Sequence, residues 1–163
     1  MLRVIKVEEW LHRAPTSPDM STHGNCVIIR PGEHYDGKQD VSLTAGVSSQ
    51  TAGAKALCLH LVIIPPGTRG MPHYHAEHES AIYTVSGETE VWHGDGLAQR
   101  TVVRAGDFMY VPPGTPHLPV NRGDVMSVSV VARTDPEEQE SVVIMELPCH
   151  LAGLLSFPVA IQE

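Results

Sequence analysis

The sequence predicts an all-β protein built as an antiparallel barrel or sandwich. Short runs rich in Val, Ile and Thr recur at intervals of roughly 8–12 residues, as in folds of this class. The 14 glycines and 13 prolines of the chain separate these runs. Helical periodicity is weak except in two short pieces, residues 6–13 and 150–155. Together these features favour strands joined by tight turns over a helical or mixed fold.

The segments with a strand signal follow one another along most of the chain. They are residues 25–30, 56–64, 81–93, 99–104, 107–112, 125–134 and 141–146. The sequence His-Gly-Asp-Gly at 93–96 predicts a hairpin turn, because glycine accepts the backbone angles that such turns require. Proline and glycine at 64–67 and 112–116 predict corners between strands.

A chain of 163 residues predicts one domain with a real core. We expect residues 1–52 to form an N-terminal arm of strands and loops that packs on the barrel or on a partner subunit. Within that arm, residues 42–53 have the composition of a loop. Residues 53–147 would form the barrel, and residues 148–163 a C-terminal tail.

Composition excludes several classes of function. The net charge is −8 and the 11 basic residues are scattered, so a nucleic-acid surface is not expected. No apolar run approaches the ~20 residues of a membrane helix, and the N-terminus lacks the apolar core of a signal peptide. The three cysteines are an odd number without metal-site spacing, which favours a reduced, cytoplasmic protein.

Residues 73–79 contain three histidines and two glutamates in seven positions. In a strand, residues i and i+2 share a face, so His73 and His75 would point the same way, and Glu79 with them if the strand ran on unbroken. Two imidazoles and a carboxylate form part of a coordination shell for a divalent metal ion. His117, just after the rigid corner at 112–116, is the candidate for the ligand from elsewhere in the chain.

Two further residues have open alternatives. His60 could line a pocket or simply pack within its strand. Arg133 lies at the end of an apolar strand and could bind a carboxylate or phosphate, or belong to the charged, solvated segment that follows it.

The two histidine-containing stretches resemble the two sequence motifs of the cupin superfamily. The second motif, G-x5-P-x-G-x2-H-x3-N, is matched at every fixed position by Gly106, Pro112, Gly114, His117 and Asn121. The first motif, G-x5-H-x-H-x3,4-E-x6-G, is matched by Gly67, His73, His75 and Glu79. The last glycine of that motif, Gly87, comes one residue later than the pattern requires.

The resemblance implies a jelly-roll β-barrel, the double-stranded β-helix, with a metal ion near one mouth. It implies three histidines and one carboxylate as ligands of Mn, Fe, Ni or Zn, here His73, His75, Glu79 and His117. Either a bulge absorbs the extra residue before Gly87 and Glu79 turns inward, or Ser80, found by counting back from Gly87, takes the position of the glutamate and leaves a three-histidine site. Glu79 is the favoured ligand because a carboxylate binds metals better than a hydroxyl does, and Glu77 is a further candidate.

Three hypotheses of function follow. The first is a metal-dependent sugar or sugar-phosphate isomerase or epimerase in which Glu79 moves a proton, since residues 75–91 are locally similar to the metal cupin domain of mannose-6-phosphate isomerases. The second is an Fe(II) or Mn(II) dioxygenase acting on a small organic substrate. The third is a non-catalytic cupin that binds a metal or ligand. In each case we expect a small-molecule ligand and a homodimer, because the open sheet edges must be covered.

Overall fold

The computed structural model describes residues 26–30, 35–36, 42–137 and 141–160. Within these residues eleven strands form two antiparallel sheets. In spatial order, the first sheet consists of β1 (Tyr35–Asp36), β2 (Ser42–Val47), β3 (Cys58–Ile64), β10 (Ser127–Arg133), β5 (Ser80–Ser86) and β8 (Phe108–Val111). The second consists of β11 (Val142–Ile144), β4 (His73–His75), β9 (His117–Val120), β6 (Glu88–His93) and β7 (Gln99–Arg104).

The two sheets form the predicted double-stranded β-helix, and their strands alternate between an inner and an outer face. In β5, Ser80 and Thr84 are buried, whereas Ala81, Tyr83 and Val85 are exposed. This period of two places one set of side chains inside the barrel and the other set outside. The inner faces of the two sheets enclose a cavity, and the functional groups described below project into it.

A second apolar core lies outside the cavity and holds the C-terminal segment in place. The 3₁₀ helix Cys149–Ser156 buries Leu151 and Leu154 against the buried residues Leu97, Leu118 and Val120. The short helix expected near residues 150–155 is therefore present, as a 3₁₀ helix. None of the helices among the described residues is long and apolar enough to cross a membrane.

Six of the seven predicted strand segments contain strands in the structure, and the turn at 93–96 joins β6 to β7 as predicted. The prediction was wrong at residues 26–30, which are mostly exposed and form no strand. It was also wrong at residues 42–53, where β2 pairs with β3 and is followed by the short helix α1 (Ser49–Ala52). Residues 6–13 lie outside the described residues, and the proposed domain boundaries stay predictions.

Local capping and burial explain the missed elements. Leu43 and Thr44 of β2 are both fully buried, although this polar stretch was predicted to be a loop. The helix α1 begins with a reciprocal pair of hydrogen bonds between the side chains and backbone N–H groups of Ser48 and Thr51. Such a capping box satisfies two backbone donors and permits a very short helix.

Asn121 ties together the corner where the two sheets meet. Its side-chain Nδ2 donates to the carbonyl oxygens of Ile64 and Val125, both at 2.8 Å, and its Oδ1 accepts from the N–H of Gly123 at 2.9 Å. The side chain is fully buried, so these hydrogen bonds have no competition from water. The asparagine of the second motif is therefore a structural residue.

We expect Asn121→Ala to lower the free energy of unfolding by about 2–4 kcal/mol, because two buried carbonyl groups lose their donors. Urea denaturation measures this change. Gln99→Ala, at an exposed position in β7, is the control and should change stability little. A loss no larger for Asn121→Ala than for the control would contradict this role.

Candidate metal centre

Three buried histidines from two neighbouring strands converge inside the barrel. His73 and His75 lie on β4 with the half-buried Tyr74 between them, so the two imidazoles share the inner face. His117 begins β9 and is the direct cross-strand partner of His73. One ligand nitrogen from each histidine can be chosen so that all three lie within 4.8 Å of one another. The predicted convergence of His73, His75 and His117 is therefore present.

The corner between β8 and β9 fixes this convergence. The backbone N–H of Gly114 donates to the carbonyl oxygen of His75 at 2.7 Å. Gly114 has φ of +70°, a left-handed conformation that favours glycine. The corner is thus hydrogen-bonded directly to the strand that supplies the other two histidines, and His117 follows three residues later.

Backbone carbonyl groups orient two of the three rings. The Nδ1 of His73 lies 2.8 Å from the carbonyl oxygen of Met71, and the Nδ1 of His117 lies 2.9 Å from that of Thr115. A carbonyl oxygen can only accept, so Nδ1 is the protonated nitrogen in both rings and Nε2 has its lone pair available. This arrangement of a ligating histidine held by a backbone carbonyl is common around protein-bound metals.

The third ring shows an unsatisfied polar atom. The Nδ1 of His75 is buried and has no hydrogen-bond partner among the described residues. A buried nitrogen without a partner is uncommon and costs stability unless an ion or water fills its place. The three rings thus each have a nitrogen without a hydrogen-bond donor to satisfy it, and three such imidazole nitrogens fit a divalent transition-metal ion.

Burial keeps all three imidazoles neutral. It holds the pKa of His73 well below its usual value, lowers that of His75 to about 2 and lowers that of His117 to about 4. The positive charge of Arg133 lowers all three values further. A neutral imidazole is the form that binds a metal ion, so near neutral pH no proton has to be removed from these rings.

Glu79, the predicted fourth ligand, lies outside this cluster. It is exposed, and its carboxylate oxygen accepts a hydrogen bond of 2.7 Å from the hydroxyl of Tyr110. Ser80 begins β5 and is buried with its side chain in the cavity. Because neighbouring residues of a strand point to opposite faces, an inward Ser80 directs Glu79 outward. Glu77 is also exposed.

The structure therefore differs from the favoured four-ligand prediction and agrees with the alternative that placed Ser80 at the glutamate position. The one-residue delay before Gly87 was the signal for this difference. Gly87 has φ of +71°, and an added Cβ would lie 2.5 Å from the carbonyl oxygen of Met126, so the turn after β5 requires glycine. The pairing of β5 with β10 contains a register shift, because Ser86 is opposite Val128 and Thr84 is opposite Ser129, so that Val85 has no direct partner.

The histidines line one side of an interior cavity of about 80 Å³. Its walls are largely apolar and include Val62, Ile64, Ile82, Val91, Val103 and Val111. No aspartate or glutamate is among the described residues that line it. His60 and Arg133 both line the cavity, so the pocket alternative holds for His60, whereas binding of a carboxylate or phosphate by Arg133 stays a prediction.

Three other residues with polar side chains in this region lie outside the cavity lining. Tyr83 and Tyr110 are exposed on the outer face of the first sheet. His78 has its Nδ1 2.7 Å from the carbonyl oxygen of Thr134 and its Nε2 3.5 Å from a carboxylate oxygen of Asp135. His78 is therefore held by the two residues that follow β10 and is not part of the three-histidine cluster.

Comparisons with known proteins agree with this fold. Residues 60–132 match the family model described as Cupin domain. The chain is similar to the oxalate decarboxylase of Bacillus subtilis, an enzyme with Mn(II) centres, at 25% identity over 64% of this chain and 28% of that chain, with a TM-score of 0.57. A comparison with curated proteins gave no match. The local similarity to mannose-6-phosphate isomerases stays a prediction.

Two further solved structures share the fold. A formate complex of the oxalate decarboxylase of Lactobacillus farciminis is 22% identical, over 69% of this chain and 33% of that chain, with a TM-score of 0.60. A conserved protein with a double-stranded β-helix domain from Klebsiella pneumoniae is 16% identical, over 90% of this chain and 99% of that chain, with a TM-score of 0.56. The chain thus spans about a third or less of the matched oxalate decarboxylases.

The metal-free protein should lose stability as the pH falls below about 6.5. The pKa of His60 is lowered to about 3 and that of His117 to about 4, chiefly by burial. Between pH 6.5 and about 4 the unfolded chain binds protons that the folded protein does not. The free energy of unfolding should therefore fall by about 1.4 kcal/mol per pH unit for each such histidine.

Urea denaturation of the metal-free protein between pH 8 and pH 5 measures this dependence. His117→Gln should reduce the slope below pH 6.5, since one buried neutral imidazole has been removed. His150→Gln is the matched control, because His150 is exposed. An unchanged slope in His117→Gln would show that this imidazole is not held neutral by the fold.

Proposed function

Residues 60–132 of this chain form a cupin domain, and we propose that it binds one divalent transition-metal ion through His73, His75 and His117 and catalyses the O₂-dependent oxidation of a small organic molecule. The observation that supports this proposal most strongly is the cluster of three buried imidazoles with ligand nitrogens within 4.8 Å of one another. Burial of these polar groups lowers the free energy of unfolding, and binding of a metal ion would explain why the cluster is nevertheless buried.

The donor set indicates which ions fit. Three neutral imidazole nitrogens, with no thiolate among them, suit Fe(II), Mn(II), Ni(II) or Zn(II). Bound there, Fe(II) or Mn(II) would supply Lewis-acid chemistry and one-electron chemistry with O₂. Three protein ligands also leave coordination positions for small molecules, which a closed structural site would not.

The residues around the cluster favour oxidation over isomerisation. An isomerase or epimerase needs a general base within hydrogen-bond reach of the carbon-bound proton. Glu79, expected to fill that role, is exposed and hydrogen-bonded to Tyr110. No carboxylate lines the cavity among the described residues. His60 lines the cavity, but burial lowers its pKa to about 3, which makes it a weak base near neutral pH. An oxygenase does not depend on a protein base of this kind, so the second sequence hypothesis has the better support.

The apolar residues around the three histidines would confine a bound substrate. The apolar walls around the histidines restrict water, which protects reactive species from side reactions and strengthens electrostatic interactions. The cavity of about 80 Å³ holds only a few water-sized groups, so it suits a small substrate. The expected homodimer and the cytoplasmic location stay predictions.

The protein purified without chelator should contain close to one equivalent of a first-row transition metal. His73→Ala and His117→Ala should each lower metal affinity by about 100-fold or more, because a two-histidine remnant cannot hold the ion tightly. Mass spectrometry for elemental content and metal titration measure this. His150→Ala is the matched control, and full metal retention by either cluster variant would remove that residue from the ligand set.

Protein loaded anaerobically with Fe(II) or Mn(II) should consume O₂ when given a substrate from a panel of small carboxylic acids, thiols and diols. An oxygen electrode and product analysis measure this, with His117→Ala as the inactive comparison. Interconversion of sugar phosphates without O₂ uptake would instead support the isomerase hypothesis. Metal binding without turnover of any compound would point to a non-catalytic module.

A further inference from the structure

The first sheet carries a continuous surface of apolar and aromatic side chains on the face that points away from the cavity. Side chains alternate along each strand, and the outward positions of β3, β10, β5 and β8 align in rows across the sheet. One row consists of Leu59, Ala132, Ala81 and Tyr110, and the next of Leu61, Val130, Tyr83 and Phe108. We refer to these eight residues as the outer apolar face.

Two aromatic residues contribute large exposed rings to the outer apolar face. Phe108 is 83% exposed and Tyr110 is 60% exposed. The rings of Tyr83 and Phe108 pack against each other with their centroids 4.7 Å apart. The hydroxyl of Tyr110 donates to a carboxylate oxygen of Glu79 at 2.7 Å, so it keeps a hydrogen-bond partner if its ring becomes buried. A contiguous apolar surface of this kind is typical of an interaction site.

The outer face of the second sheet has a different composition. Glu88 on β6 pairs with Arg104 on β7, with 3.3 Å between Nε of Arg104 and a carboxylate oxygen. Glu90 on β6 pairs in the same way with Arg100 on β7. Charged and polar residues are usual on the face of an antiparallel sheet that stays in water. None of the eight positions of the outer apolar face holds a charged residue, so that face lacks the composition of a solvated surface.

The charge of the chain favours a second copy as the partner of this face. The net charge is −8, so two copies repel each other, and a surface without charges is where their contact costs least. A basic partner protein would need acidic groups on the face, and nucleic acid or an anionic membrane would need Lys or Arg there. The outer apolar face has neither. It is similar in chemistry to itself, as an interface with two-fold symmetry requires.

We propose that the outer apolar face packs against the same face of a second copy of this chain. The Tyr83–Phe108 pair lies in the centre of the contact, as aromatic residues do in stable interfaces. Glu79, two residues before Ala81 on the same face of β5, lies in its polar rim. The three histidines project from the other sheet into the cavity behind this face, so the inference does not depend on metal binding or on the proposed reaction.

Sedimentation velocity of the full chain, from about 1 to about 200 µM, tests whether the protein associates with itself in the range where interfaces of modest size form and dissociate. We expect a dimer at the upper end of this range. A monomer at every concentration would overturn the proposal, whether the face is then left in water or covered by another partner.

Phe108→Asp tests whether the outer apolar face is the contact. It should raise the dissociation constant of the dimer at least about tenfold, because each copy would bring an unpaired carboxylate into an apolar interface. Leu155→Asp is the matched control, since Leu155 is 65% exposed and lies in the 3₁₀ helix Cys149–Ser156, outside this face. It adds the same charge and should leave the dissociation constant unchanged. A wild-type constant in Phe108→Asp would place the interface elsewhere and overturn the proposal.

Hydroxyl-radical footprinting of the wild-type protein keeps the test decisive if Phe108→Asp does not fold. Labelling of Phe108 and Tyr110 should be about threefold or more lower in the dimer than in the diluted monomer, because residues in the centre of an interface are excluded from water. Labelling of Leu155 should be the same in both samples. Equal labelling of Phe108 in dimer and monomer would overturn the proposal.

Discussion

The site depends on one constraint, the attachment of the β8–β9 corner to β4. The hydrogen bond from the N–H of Gly114 to the carbonyl oxygen of His75 brings His117 to the two histidines of β4. The cross-strand pairing of His73 with His117 then fixes which faces meet. A three-histidine cluster assembled in this way needs no long loop, because it is part of the sheet itself, and positions on regular elements are held more precisely than positions on loops.

The register of β5 determines which side chains lie beside the three histidines. With Ser80 inside and Glu79 outside, the protein offers three neutral nitrogens and no carboxylate to the ion among the described residues. The same register places Ser80 beside Arg133. A single choice of strand face therefore directs the carboxylate of Glu79 away from the three histidines and places the hydroxyl of Ser80 beside the guanidinium group of Arg133.

The fold and the three histidines were predictable from the sequence, and the fourth ligand position was not. Strand alternation and two motifs located His73, His75 and His117, because strand periodicity and tight turns are local properties. Glu79 was expected to face inward but is exposed, because the inward position of Ser80 depends on the pairing of β5 with β10 and on the register shift within that pairing, which are tertiary constraints. Strand β2 was missed for a similar reason, since its polar sequence is held by pairing with β3.

X-ray absorption spectroscopy of the metal-loaded protein tests the central claim most directly, because it reports the ligands of the ion itself. The account predicts scattering from three imidazole rings, with the remaining positions filled by exchangeable light atoms and an unchanged spectrum in Glu79→Ala. One imidazole or none, or a spectrum of the wild-type protein identical to that of His73→Ala, would contradict it.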